Sequence, residues 1–289
     1  MRLGWALVGA VSFACVVRCA CKEPPPSREP LRLATFNIED FPKDRRQIDG
    51  AFGEIADLHS GIIAVQEIGD PELLEREAKR RLGRSWQLAH VDTRPIGETR
   101  RGHHIGVLFD GTRWQSTIVR VFDDTRLAGG RHKPVLDVRL RAASRDAGDA
   151  AEVMHVLVLH LKSGSEGRAI RHAQLGALHH IIQDVQREGR PVVVMGDFNA
   201  TDEGDRDDLA MLARDLRLTW ATEPLACTAF WAREDGCPRS RLDHVLTWKP
   251  PSEVHAAGAC AREGCEWQAS CPVYARQVSD HCPVVVTFE

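Results

Sequence analysis

The sequence predicts an α/β fold, and three observations carry that expectation. Apolar, β-rich runs alternate with segments whose apolar residues recur at helical spacing. Five apolar runs end in a polar or ionisable cluster and a sixth cluster opens the last run, which is how α/β sheets gather a site at their strand ends. With 289 residues, the chain can bury a sizeable core as one large domain or two small ones. Its 43% hydrophobic and 27% charged residues are ordinary globular usage and exclude full disorder.

In chain order, residues 1–21 read as an export signal: Arg2 gives a positive start, Leu3 to Val17 is apolar and small, and Cys19 and Cys21 follow. A lipid-anchored cysteine is a variant of this reading, although Arg18 stands where an apolar residue would be wanted before Cys21. Residues 22–30, KEPPPSREP, form a Pro-rich tether, and 31–289 the folded domain. No apolar run reaches the ~18 residues of a membrane span. LRLATFNI (31–38) alternates as a strand, GAFGEIADL (50–58) has helical spacing, and IIAVQEI (62–68) is a short buried strand. PELLEREAKRRLG (71–83) is a helix opened by Pro71 and closed by Gly83. Strands follow at 105–109, 114–122, 134–140 and 153–160, with a surface loop at 144–150. Residues 168–187 give the clearest helix, with Ile170, Leu175, Leu178, Ile181, Ile182 and Val185 as its core stripe. PVVVMGDF (191–198) is a buried strand, RLDHVLTW (241–248) and CPVVVTF (282–288) are the last two, and 249–281 is mostly loop.

The net charge is −3, and loss of residues 1–21, which hold only Arg2 and Arg18, takes it to −5. Coating of nucleic acid by bulk charge is thereby disfavoured, while a local basic cleft is not. Cys15, Cys19 and Cys21 lie in the signal region. The other six, Cys227, Cys237, Cys260, Cys265, Cys271 and Cys282, fall in the last quarter and read as up to three disulfides in an oxidising compartment, with connectivity open. A zinc site is the weaker alternative because no CxxC pair exists.

The clusters permit definite chemistry. Glu67 and Asp197 each follow a buried run, and carboxylates are rarely buried unless paired or metal-bound. With Asn37 and Asn199 they form an oxygen-rich set suited to a hard cation such as Mg²⁺, and either acid alone could equally be a cap or a solvated strand end. Of 13 histidines, His160 and His281 stand out because each borders an apolar strand beside polar neighbours. Asp243 is the candidate orienting partner for His281, and Asp280, adjacent in the strand, is expected on the opposite face. Lys162 beside His160, and Arg101 in RRGHHIGVLFD (100–110), are candidate substrate contacts, with solvated readings equally open. GxSxG, GxxxxGK[ST], GxGxxG and HExxH are absent, so a hydrolase serine, nucleotide-cradling loops and a zinc peptidase are unsupported.

In order, TFNIED, VQE, HLKSG, GDFNAT, RLDHV and SDHCPV resemble the endonuclease/exonuclease/phosphatase superfamily, the group of deoxyribonuclease I, from about Leu31 to Phe288. The resemblance implies a four-layer α/β sandwich of two mixed β-sheets packed face to face with helices outside. It also implies phosphodiester cleavage with Mg²⁺, or else Ca²⁺ or Mn²⁺. By motif, Glu67 resembles the metal ligand supported by Asn37, and Asp280 an auxiliary metal-site acid. Asp197 resembles the residue that activates water, Asn199 a phosphate-orienting donor, His281 the catalytic histidine held by Asp243, and His160 a donor to the scissile phosphate. The abasic-site branch usually carries tyrosine at the place of His160, and the only tyrosine here is Tyr274; inositol-phosphate phosphatases usually show GDxNYR where this chain has GDFNAT. The expectation is an exported or cell-envelope monomeric nuclease acting on DNA or RNA. A sphingomyelinase or phospholipase C-type enzyme is the alternative, needing exposed apolar loops for which Trp220, Phe230 and Trp231 are candidates. A phosphoester-binding member without activity is the third reading.

Overall fold

The structure, a computed structural model, describes residues 29–93, 103–126, 133–143 and 153–289. The export segment, most of the tether, Arg101 and the loop expected at 144–150 lie outside these residues. β1 (Leu31–Phe41) leads to α1 (Arg45–Asp57), which starts earlier than its apolar spacing suggests because the Asp44 side chain caps it by accepting from the Gln47 backbone N–H at 3.0 Å. β2 (Ile62–Ile68) precedes α2 (Pro71–Arg81), where Asp70 is the cap and Pro71 opens the first turn. β3 (Trp86–Asp92), β4 (His104–Asp110), β5 (Trp114–Phe122), β6 (Val135–Ala142) and β7 (Val153–His160) follow. Next come α3 (Arg168–Gln186), β8 (Val192–Asp197) and α4 (Glu203–Asp215). The last part holds β9 (Thr219–Trp220), β10 (Ala229–Phe230), β11 (Arg239–Ser240), β12 (Asp243–Thr247), β13 (Glu253–Ala256), α5 (Gly258–Glu263), α6 (Val273–Gln277) and β14 (Val284–Phe288).

Two six-stranded mixed sheets result, ordered β13-β14-β1-β2-β4-β3 and β5-β6-β7-β8-β12-β9. Their facing sides share one apolar core that includes Leu33, Ile62, Ile105, Val156, Met195 and Val245. The outer face of the first sheet packs Phe36, Val65 and Leu108 on Phe52, Ile55 and Leu74 of α1 and α2. The outer face of the second packs Leu157, Val194 and Leu246 on Leu178, Ile182, Leu209 and Leu212 of α3 and α4. The predicted four-layer sandwich is therefore observed. Strands β2, β7 and β8 bury both faces, which is why they read as unbroken apolar runs.

β3 and α4 were not anticipated, and 249–281, mostly loop as expected, also holds the short elements β13, α5 and α6. That last region has its own small core around Cys227, Phe230, Cys237, Cys260, Tyr274 and Cys282. All six cysteines pair, as Cys227–Cys265, Cys237–Cys271 and Cys260–Cys282. No helix among the described residues is long and apolar enough to cross a membrane.

Register places the site. β1 and β2 run parallel with Asn37 opposite Gln66, and β7 and β8 run parallel with His160 opposite Asp197. β12 runs antiparallel to β8, which sets its first residue, Asp243, opposite Asp197. β14 runs antiparallel to β1, so the residues that lead into it arrive at the same edge. Gly196, with φ of +146°, fixes the β7–β8 spacing there: a Cβ would stand 2.1 Å from the Leu159 carbonyl oxygen. Gly196→Ala is expected to cost roughly 1–3 kcal/mol in denaturant-unfolding stability and to displace Asp197; an unchanged unfolding midpoint would contradict this reading.

Candidate active site

The six polar clusters meet at one edge of the sandwich, around a cleft of about 720 Å³. Asn37 and Glu67 come from the first sheet, and His160, Asp197 and Asp243 from the second. His281 precedes β14 and forms a bridge with Ala229. Four of the six non-glycine residues with positive φ among the described residues stand here: Glu39, Asp40, Glu67 and Asn199. Such left-handed backbone costs side-chain-bearing residues energy, so its concentration marks a place where aiming side chains overrides local preference.

The Asn37 amide nitrogen donates to Asp197 Oδ2 at 3.1 Å and to Glu67 Oε1 at 3.3 Å. Its oxygen accepts from the Glu39 N–H at 3.0 Å. Asn37 thus ties the Glu67 and Asp197 carboxylates together. His160 Nε2 lies 3.3 Å from Asp197 Oδ2 and 3.7 Å from Glu67 Oε1. Asn199 donates its backbone N–H to Asp197 Oδ1 at 2.9 Å, and its amide donates to the Leu161 carbonyl at 3.2 Å.

His281 and Asp243 form a buried dyad with Nδ1 to Oδ2 at 2.8 Å. Thr228 donates its hydroxyl to the same Asp243 oxygen at 2.8 Å. Tyr274 donates to the His281 carbonyl at 2.9 Å, and the Ser279 hydroxyl accepts from the His281 N–H while donating to the Asn37 carbonyl. The far nitrogen, Nε2, is 3.8 Å from Asp197 Oδ2 and 3.8 Å from Asp280 Oδ1. Asp280 was expected on the opposite face. It reaches the same side because β14 begins only at Val284, and strand alternation does not apply before it.

These contacts set the charge states. Burial opposes a charged His281, yet Asp243, Asp197 and Asp280 together outweigh it and hold the imidazole well above its ordinary value. Burial pushes Asp197 up to about 7 against the pull of His281, and pushes Asp280 up to about 6. His160 falls well below its ordinary value, through burial first and the Lys133 cation second.

Lys133 is the residue the sequence reading missed. Its ammonium sits 2.8 and 2.9 Å from the two His160 ring nitrogens, and burial brings it down to about 8. It precedes Pro134 at the mouth of β6, and the only sequence trace is a lysine placed just before an apolar strand. Lys162, predicted for this role, turns away: its ammonium donates to the Ser163 carbonyl at 2.5 Å and faces Glu166 at 3.6 Å. Of the three aromatics proposed as apolar contacts, Trp220 bonds to Thr222 and His244 away from the cleft, Phe230 is buried in its wall, and only Trp231 is exposed on its rim.

Ligand atoms of Asp40, Glu67 and His103 lie within 4.8 Å of one another, and His103 Nε2 contacts Asp40 Oδ1. Two carboxylates with one imidazole at an open cleft fit a divalent cation of the Mg²⁺ or Mn²⁺ kind. Asp197, Asp243 and His281 also cluster, but the His281–Asp243 hydrogen bond, with Asp197 3.8 Å from the far imidazole nitrogen, marks them as a proton-handling set.

Two face-to-face mixed sheets with carboxylates and imidazoles converging on one edge define a metal-dependent phosphoester hydrolase. The chain belongs to the Endonuclease/Exonuclease/phosphatase family, whose model matches residues 34–281. Among solved structures, the human Nocturnin catalytic domain with bound sulfate is similar, with a TM-score of 0.63 and 17% identity, covering 90% of this chain and 94% of that one. TDP2 of D. rerio, complexed with single strand DNA product, matches with a TM-score of 0.63 and 14% identity over 91% of this chain and all of that one. An endonuclease/exonuclease/phosphatase family protein from Bacteroides thetaiotaomicron matches at 0.59 and 16%, over 90% of this chain and 95% of that one. No curated protein matches by sequence. At these identities the solved structures establish the fold.

Proposed function

We propose that the chain is an exported, Mg²⁺-dependent phosphodiesterase, a nuclease that hydrolyses DNA or RNA by in-line attack of water. The observation that carries this is Asp197 Oδ2, one oxygen approached by Asn37, His160 and His281 while Glu67 stands beside it. Glu67, with Asp40 and His103 in reach, would hold a divalent cation, which would supply charge neutralisation to the phosphate. Asp197, made a stronger base by burial, orients the water and takes its proton within the Asp197–His281 pair. The water oxygen bonds to phosphorus as the bond to the leaving oxygen breaks on the opposite side. His281, kept cationic by Asp243, and the Lys133 ammonium face the charge that gathers on the phosphoryl oxygens, and His160 and Asn199 orient the phosphate.

The TDP2 structure with single strand DNA product supports a nucleic-acid substrate, and the three disulfides support an oxidising, extracytoplasmic compartment. A lipid anchor at Cys21 belongs to the same proposal. One observation favours the phospholipase reading: exposed Trp231, Trp267 and Val273 project from the disulfide-bonded segment that carries the cleft rim. A panel of plasmid DNA, RNA, sphingomyelin and inositol phosphates with Mg²⁺, Ca²⁺, Mn²⁺ or EDTA tests these readings. Cleavage of nucleic acid with Mg²⁺ and none with EDTA is expected. Turnover of lipid alone overturns the nuclease assignment, and activity that survives EDTA overturns the metal requirement.

A further inference from the structure

Beside the catalytic cleft lies a second one of about 370 Å³, and the two share Thr201 and Ser240. Three arginines line it: Arg206 from α4, Arg239 from β11, and Arg241 just beyond β11. Among the described residues none of the three pairs with a carboxylate. Arg241 donates to the Leu225 carbonyl at 2.9 Å and to the Glu223 carbonyl. Arg239 stacks on the Phe230 ring at 4.2 Å and donates Nη1 to the Cys237 carbonyl at 3.1 Å, which leaves its Nε and Nη2 buried with no acceptor. Arg206 makes no side-chain hydrogen bond or ion pair among the described residues. Burial, and then the Arg206 cation, lower Arg241 from its usual value against the opposing pull of Glu223.

Some arginines elsewhere in this chain find acidic partners. Arg171 holds Asp205 at 2.6 Å, and Arg120 holds Asp137 at 2.6 Å. Buried donors without acceptors are uncommon in folded proteins, and planar guanidinium groups suit phosphate oxygens. Because the two clefts share Thr201 and Ser240, an anion bound here would lie next to the cleft that holds the ester at Asp197.

We infer that this arginine-lined cleft is a phosphate subsite that takes a second phosphate of the substrate next to the one being cleaved. The inference rests on the phosphodiesterase reading and sharpens it. A nucleic-acid strand supplies a neighbouring phosphate, whereas a phospholipid with a single headgroup phosphate leaves the cleft unfilled.

Arg206→Gln is the variant of choice, since its side chain has no described partner whose loss would disturb folding. Inorganic pyrophosphate, titrated calorimetrically into the full chain kept free of divalent cations, is expected to bind about tenfold more weakly to Arg206→Gln than to wild type, with Arg206→Lys recovering most of the affinity. With Mg²⁺, Arg206→Gln is expected to raise KM for a short oligonucleotide about tenfold at unchanged kcat, to lower the slope of log KM against log salt by about one, and to leave hydrolysis of the single diester bis(p-nitrophenyl) phosphate unchanged. Unaltered pyrophosphate affinity, or an equal loss on both substrates, overturns the subsite. So does sphingomyelin turnover that exceeds oligonucleotide turnover and ignores Arg206. Binding of pyrophosphate through Arg206 without hydrolysis of any substrate leaves the anion site standing and overturns the phosphodiesterase reading instead.

Discussion

His281→Ala is expected to lower kcat on a phosphodiester by about 10²–10⁴-fold at saturating Mg²⁺, the range for loss of one positioned acid–base group. The imidazole is joined to Asp243 at 2.8 Å and lies 3.8 Å from Asp197, so its removal strips the cleft of a cation and a proton carrier together. Near-normal turnover in this variant would refute the role. Asp243→Asn separates charge from shape. Asp243 is foremost among the groups that hold His281 above its ordinary value against burial. Neutralising it lets the imidazolium lose its proton at lower pH. If protonated His281 is the working form, the alkaline limb of kcat/KM must move toward acid in Asp243→Asn. An unmoved limb, read from full pH profiles of both proteins, would show that His281 works as the neutral base.

Loss of the disulfides should have the other large effect. They close segments with sequence separations of 38, 34 and 22, and removing one native bridge typically costs roughly 2–5 kcal/mol. Here the cost reaches the chemistry. Cys227 adjoins Thr228, which holds Asp243, and Cys282 adjoins His281 and donates its N–H to the Thr228 carbonyl at 2.7 Å. Replacing Cys260 and Cys282 by serine is expected to lower thermal stability by several degrees and kcat by more than tenfold, with metal affinity at Glu67 retained. Full turnover in that double variant would show that the dyad is held without the bridge.

The strand ends of the site were legible because the strands that carry them bury both faces: an apolar run such as IIAVQEI makes Glu67 conspicuous. β3 was hidden because its pattern is mixed and mostly half-exposed, without clean alternation. α4 was hidden because its sequence is rich in acids, with Asp202 as cap and Glu203 and Asp205 in the first turn, which masks its short apolar stripe. Lys133 could not be found by pattern, since its importance comes from β6 lying beside β7 and not from its neighbours in sequence. Asp40 and His103 illustrate the same limit: they are 63 positions apart and meet only because β4 pairs with β2. The cysteine count announced bridges, while their pairing depended on the small core around Tyr274.

The division of catalytic groups between two half-sandwiches has a practical meaning. Asn37 and Glu67 ride on one and His160 and Asp197 on the other, joined across the join by contacts of 3.1 to 3.7 Å. Turnover is thus a caliper reading of how the halves are aligned. A slight sliding of one against the other opens the jaws while each half stays intact, so drift in the apolar filling between them would show as a failing catalyst well before it showed as a melting protein.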